Sequence, residues 1–195
     1  MHKEIFMRPA NIFVFVFLFL PSFVMADALG DVENYLKRLK TGEARFVQID
    51  PLGRVSNGIV IIKRPGKILF EFADPSPLKI AADGAFIVVQ DKVNKKLQRV
   101  PLSATPLNLL LDDSIDLAGS GAVEKVEENP DFIRVHLRDP DGRVPGKLIL
   151  IFARNPAELV RWITVDAKDQ RTTVVLEGME QGGDYPQRLF VITDQ

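Results

Sequence analysis

The chain of 195 residues contains no cysteine. That absence removes disulfides, thiolate metal sites and a cysteine nucleophile together. Charge of one sign is also missing: the formal net charge is -1. A nucleic-acid binder carries a basic excess on one face, and this chain has none. Histidine is down to two residues, His2 and His136, and no HExxH pattern or phosphate-cradling glycine loop is present. His136 sits between Arg134 and Arg138 on the polar face of an expected strand, which reads as a solvated position rather than a catalytic base. Asp112, Asp113 and Asp116 are close in sequence but lack the glycine and terminal glutamate of a calcium loop. They read as a helix end and loop. Nothing in the residues argues for an enzyme or a cofactor.

What is present begins with an export pattern. Lys3 and Arg8 precede the apolar run Ile12 to Leu20, and Pro21 to Ala26 follow. A charged head, a short apolar middle and a small residue before a polar stretch make a secretory signal peptide. Residues 1–26 are therefore expected to be removed after Ala26, with Val24 at the −3 position. The apolar run falls short of the roughly 20 residues that span a bilayer. With no cysteine at the cleavage site, lipid attachment there is excluded. The expectation is a soluble exported protein with a single domain over 27–195.

Residues 28–39 predict a helix. Ala28, Val32, Tyr35, Leu36 and Leu39 fall on one face, Asp27 is placed to cap the start, and Gly42 follows the end. From Ala44 onward the signal is strand. Short apolar or alternating runs at 44–50, 55–64, 67–73, 77–82, 85–91 and 96–101 are divided by turn residues such as Pro65-Gly66 and Asp83-Gly84. A second series runs at 121–128, 131–139, 146–154, 158–167, 170–178 and 186–193. This spacing predicts an antiparallel sheet of hairpins, long enough to curl. Between the series, Thr105-Pro106 reads as N-cap and first residue of a short apolar helix over Leu107, Leu109 and Leu110. Ser114 to Leu117 offers a further turn.

Alternation assigns faces. Ile68, Phe70 and Phe72 share one face of their strand, Val160 and Trp162 share one, and Leu148, Leu150 and Phe152 share another. Such rows form either a closed core or the lining of a lipid pocket, and composition leaves both open.

Several pieces in order resemble a known family. They are the helix with Tyr35-Leu36, then Ala44-Arg45-Phe46-Val47-Gln48, then Ile61-Ile62-Lys63-Arg64-Pro65-Gly66-Lys67 leading into Phe70-Glu71-Phe72. Asp74-Pro75, Ala82-Asp83-Gly84, Thr105-Pro106-Leu107, Asp169-Gln170-Arg171-Thr172 and a final strand with Phe190 follow. Together they resemble the periplasmic outer-membrane lipoprotein carrier family, LolA. The resemblance implies a mainly β (α+β) fold, an unclosed antiparallel β-barrel of about eleven strands with a helical lid over an apolar cavity. It implies a periplasmic, monomeric chaperone that takes acylated lipoproteins from the inner-membrane ABC exporter LolCDE to the outer membrane, with a LolB-like acceptor where one exists. By the same resemblance Arg64 is the lid latch. Ile68, Phe70, Phe72 and Trp162 line the acyl-chain cavity, and Tyr35, Leu36, Leu107, Leu109 and Leu110 belong to the lid helices. Phe70 stands where many relatives carry tryptophan, which leaves the cargo open. A carrier or sensor of another lipid on the same fold is the alternative reading.

Overall fold

The structure is a computed structural model and describes residues 24–114 and 116–193. The expected signal peptide lies outside these residues except for its last three, which run into helix α1, Val24–Arg38. Asp27 is thus inside the helix rather than at its cap. The stripe Ala28, Val32, Tyr35, Leu36 and Leu39 is buried throughout, none of it more than 3% exposed. Among the described residues no helix is long and apolar enough to cross a membrane.

Eleven antiparallel strands form one sheet. The first six are β1 Thr41–Ile49, β2 Val55–Lys63, β3 Lys67–Phe72, β4 Leu78–Asp83, β5 Phe86–Asp91 and β6 Lys96–Pro101. A 3-10 turn, Leu102–Ala104, and the single-turn helix α2, Asn108–Leu111, follow. The rest are β7 Val123–Glu128, β8 Phe132–Leu137, β9 Lys147–Ala153, β10 Glu158–Val165 and β11 Arg171–Gln181. The spatial order is β6-β5-β4-β3-β2-β1-β11-β10-β9-β8-β7. Two meanders are joined by the β1–β11 pair, and β6 and β7 are left as edges. The sheet is an unclosed barrel, and the chain from one edge to the other carries α2.

Register sets two rims. Ile49 pairs with Val55 and with Thr173, Asp91 with Lys96, and Lys147 with Val165. The β1–β2, β3–β4, β5–β6, β8–β9 and β10–β11 connections therefore share one rim. The β2–β3 turn with Arg64 lies at the other.

One core fills the concave face. It joins α1 and α2 to Phe46, Ile62, Ile68, Leu150, Phe152 and Trp162 among others. The convex face carries two smaller clusters. In one, Phe190 and Ile192 pack on Ile61, Leu69, Ala81 and Val88. The expected strand at 186–193 is a correction here. Gln187–Phe190 is a 3-10 turn, because the segment lies flat across β3 and β4, which are already paired on both sides. Its apolar residues are spent on packing instead. Lys63 holds it by donating from Nζ to the Tyr185 carbonyl at 2.6 Å.

Gly58 marks a place where strands meet too closely for a side chain. A Cβ there would lie 2.0 Å from the Glu71 carbonyl oxygen. Gly58→Ala is expected to cost about 2 kcal/mol of stability, the usual scale of overpacking, read from urea unfolding. A neutral result would mean that β2 and β3 shift apart without penalty.

The turns add acid sensitivity. Asp83 accepts from the Phe86 and Ala85 amides at 2.9 and 2.8 Å, and Asp91 accepts from Asn94 and Val93. These backbone donors hold both carboxyls below the usual aspartate range. A depressed carboxyl stabilises the fold above its unfolded pKa of about 3.9, and that contribution disappears as pH falls through the lower folded value. The thermal midpoint is thus expected to drop below about pH 4, and Asp83→Asn should shrink the drop. An unchanged pH profile in the variant would overturn this account.

Candidate functional site

Arg64 is the only charged side chain in the buried set among the described residues, at 6% exposed. It ends β2 and turns under the sheet, where it meets the C-terminal ends of both helices. Its Nη1 donates to the Leu36 carbonyl and, at 3.4 Å, to the Leu39 carbonyl. Its Nε donates to the Asp112 carbonyl at 3.1 Å, and Nη2 donates to the same oxygen. A guanidinium suits this place because its planar fork carries five donors and no acceptor. The carbonyls it meets are at helix ends, which carry unpaired acceptors and partial negative charge. Burial pushes the Arg64 pKa down, and the nearby Asp113 and Asp112 carboxylates oppose that shift. The backbone reinforces the contact. The Arg64 amide donates to Lys40 and the Gly66 amide donates to Leu111, at 2.7 and 2.8 Å. Gly66 has φ +74°, and a Cβ there would lie 2.8 Å from the Gly84 Cα, so this turn requires glycine.

Beside this arginine-pinned pair of helices lies an apolar cavity of about 470 Å³. Phe70, Ile80, Ile87, Trp162 and Val174 contribute from the sheet, and Pro106 and Leu107 from the segment leading into α2. The cavity reaches the rim opposite Arg64 at Asp166, Ala167 and Lys168. A larger depression, about 580 Å³, lies outside between the Pro51-Leu52-Gly53 turn and Asp169 to Arg171. It is shallow and partly polar, and no converging side chains mark it as a binding site.

The expected site residues separate into groups. Phe70 and Trp162 line the cavity, with ring centroids 6.1 Å apart in an edge-to-face pair. Ile68 is fully buried and does not reach the cavity wall. Phe72 packs edge-to-face on Phe46 at 5.1 Å and also lies off the wall. Leu107 faces the cavity, Leu110 is fully buried, and Leu109 faces a separate polar cleft bordered by Asp116 and Arg143. Tyr35 and Leu36 are buried under the sheet, with Tyr35 edge-on to Phe152 at 5.5 Å. The Tyr35 hydroxyl makes no hydrogen bond of ordinary geometry, and burial pushes its pKa up.

Two local expectations differ. Thr105 does not cap α2; its hydroxyl donates back to the Leu102 carbonyl at 2.9 Å, and Leu107 is the N-cap. Pro106 opens a 3-10 stretch instead, with the Asn108 amide donating to Thr105. The suggested turn at Ser114 to Leu117 falls partly outside the described residues, and Leu117 to Gly119 form a turn. His136 is half-buried on the convex face, 3.8 Å from Glu127. Arg134 pairs with that same glutamate and Arg138 with Glu124, so neither neighbouring cation is free.

Sequence reasoning missed Ile80, Ile87 and Val174, which are ordinary strand residues until the sheet curls. It also missed Phe46, edge-on to both Phe70 and Phe72. Its place in an alternating strand was the available signal.

Residues 37–193 match the family described as outer membrane lipoprotein carrier protein LolA. An outer-membrane lipoprotein carrier protein of Dechloromonas aromatica is 31% identical over 114 residues, covering 56% of this chain and 53% of that one. The uncharacterized protein RP864 of Rickettsia prowazekii is 28% identical over 98 residues, covering 50% and 46%. The chain thus aligns with about half the length of these curated relatives. Among solved structures, a DUF1329 family protein from Desulfovibrio piger shares the fold, with TM-score 0.51, 11% identity and coverage of 85% and 96%.

Proposed function

The chain belongs to the LolA family, and on that premise we propose that it is a periplasmic chaperone for acylated lipoproteins. It accepts them from an inner-membrane ABC exporter of the LolCDE kind and carries them to the outer membrane, to a LolB-like acceptor where one exists. The signal peptide at 1–26 delivers a one-domain, monomeric carrier to the periplasm. The observation that carries this reading is the apolar cavity beside two helices pinned by a buried arginine. An acyl chain loses about 0.8 kcal/mol per exposed CH₂ group, so a lipoprotein cannot cross water uncovered. Phe70, Trp162 and Leu107 supply the cover.

The cavity volume limits the closed state. Taking a methylene as the size of a water molecule, about 30 Å³, a cavity of about 470 Å³ holds roughly one long acyl chain. A lipoprotein bearing three chains needs more room. In this reading Arg64 is the latch of the empty carrier, and α2 moves away when cargo enters. Ligands shift such an equilibrium only through different affinity for its two states, and the enlarged cavity supplies that difference.

The volume also favours a second reading, a carrier or sensor of a single-chain lipid on the same fold. Native mass spectrometry of protein purified gently from the periplasm separates the two. A co-purifying acylated lipoprotein, released by detergent, is the expected result. A free lipid in its place would overturn the lipoprotein reading in favour of the second.

A further inference from the structure

The cavity mouth shares its rim with the most exposed aliphatic side chains of the described residues. Leu52, Val93 and Val55 are 78%, 76% and 67% exposed. Leu52 and Val55 lie on the β1–β2 hairpin and Val93 on the β5–β6 turn, both on the rim that the cavity reaches at Asp166 to Lys168. Ile49, opposite Val55, is 40% exposed. Single exposed aliphatics are ordinary on any surface. Leu52 and Val93 sit in the turns themselves, on the rim that carries the opening, and packing does not explain them, since a turn needs glycine, proline or small polar residues rather than leucine or valine.

On the β1–β2 hairpin Asp50 and Arg54 pair with each other beside Leu52 and Val55, so the excess charge on this part of the rim is the positive charge around Val93. Lys92, Lys95 and Lys96 flank Val93, and among the described residues none of the three forms an ion pair. Asp91 caps the exposed β5–β6 turn, accepting from the Val93 and Asn94 amides and from Asn94 Nδ2. An aliphatic tip between free lysines matches the boundary of an anionic bilayer, where apolar groups enter the acyl region and cations meet the headgroups.

We propose that this rim docks on an anionic lipid surface, with Leu52, Val55 and Val93 inserted and Lys92, Lys95 and Lys96 on the headgroups. The inference rests on the carrier reading for its purpose: the mouth is placed against the bilayer, and an acyl chain passes between them with little exposure to water. The contact is reversible by construction, because a few aliphatic side chains anchor a protein only weakly.

The test is flotation of the full exported chain with vesicles containing phosphatidylglycerol, against vesicles of phosphatidylcholine alone. The chain is expected to float with the first, less so in high salt, and not with the second. Leu52→Glu combined with Val93→Glu is expected to reduce the bound fraction by about tenfold. Phe132→Glu, at an exposed aromatic on the opposite rim, should leave it unchanged. No flotation of the wild type, or equal loss in the Phe132 variant, overturns the proposal. So does flotation with an unaltered double variant. Acyl binding in the cavity is followed separately through Trp162 emission. A chain that takes an acyl probe but ignores vesicles overturns the rim docking alone. A chain that floats but takes no probe overturns the carrier reading alone.

Discussion

Arg64→Leu is expected to lower the unfolding free energy by about 3 kcal/mol and to leave cargo on the protein when an acceptor is offered. Both effects come from the same hydrogen bonds. The guanidinium donates to the carbonyls of Leu36, Leu39 and Asp112. Leucine fills part of the volume but leaves these acceptors facing apolar surface, and each unpaired buried group costs about 1–3 kcal/mol. Opening the lid relieves part of that cost by admitting water. The substitution therefore weakens the closed empty state more than the open loaded one. A bias of about 1.4 kcal/mol is tenfold in the equilibrium, so losing even half of the latch favours retention strongly. Arg64→Lys keeps the charge but loses the fork that reaches two helices at once, and it should fall between. Urea unfolding measures the first effect. Transfer of a bound lipoprotein to acceptor-bearing membranes measures the second. Normal transfer by Arg64→Leu, with lowered stability, would make the arginine a structural tie and not a latch.

The parts of this fold that could be read from sequence follow one period each. The α1 stripe from Ala28 to Leu39 repeats at helical spacing, and every member is buried. Ile133, Val135 and Leu137 alternate cleanly, and all face the concave core. Legibility stopped where the period breaks. Val160 and Trp162 were expected on one face, yet Val160 packs on the convex side and Trp162 on the concave side. The cause is a bulge: Leu159 pairs with Phe152, and Arg161 already pairs with Ile151. One extra residue shifts the alternation, and nothing in Glu158-Leu159-Val160-Arg161 announces it. The site was legible by residue type and illegible by partner. An arginine before Pro-Gly is visible in the sequence, but its acceptors are backbone carbonyls, which every residue carries.

The cavity claim is most exposed at Phe70, because that ring belongs to the core and to the wall at once. It is 5% exposed, lies edge-on to Phe46 and Trp162, and closes one side of the cavity. Phe70→Asp is expected to lower affinity for an acyl probe by about a hundredfold. A carboxylate in an apolar pocket either holds water that the chain must displace or takes up a proton to become neutral. The second route makes a distinct prediction: part of the lost affinity returns as pH is lowered toward the raised pKa of the new carboxyl. Trp162 reports the change directly, since it is the only tryptophan in the chain and shares the same wall. Its emission should shift to the red in the variant as water enters, and back to the blue when probe binds. The fold should survive with reduced stability, because one side of the ring already faces open space. Loss of cooperative unfolding would mean that the space is closed in solution and that Phe70 is core. Full probe affinity with a red-shifted Trp162 would place the acyl chain elsewhere on the protein.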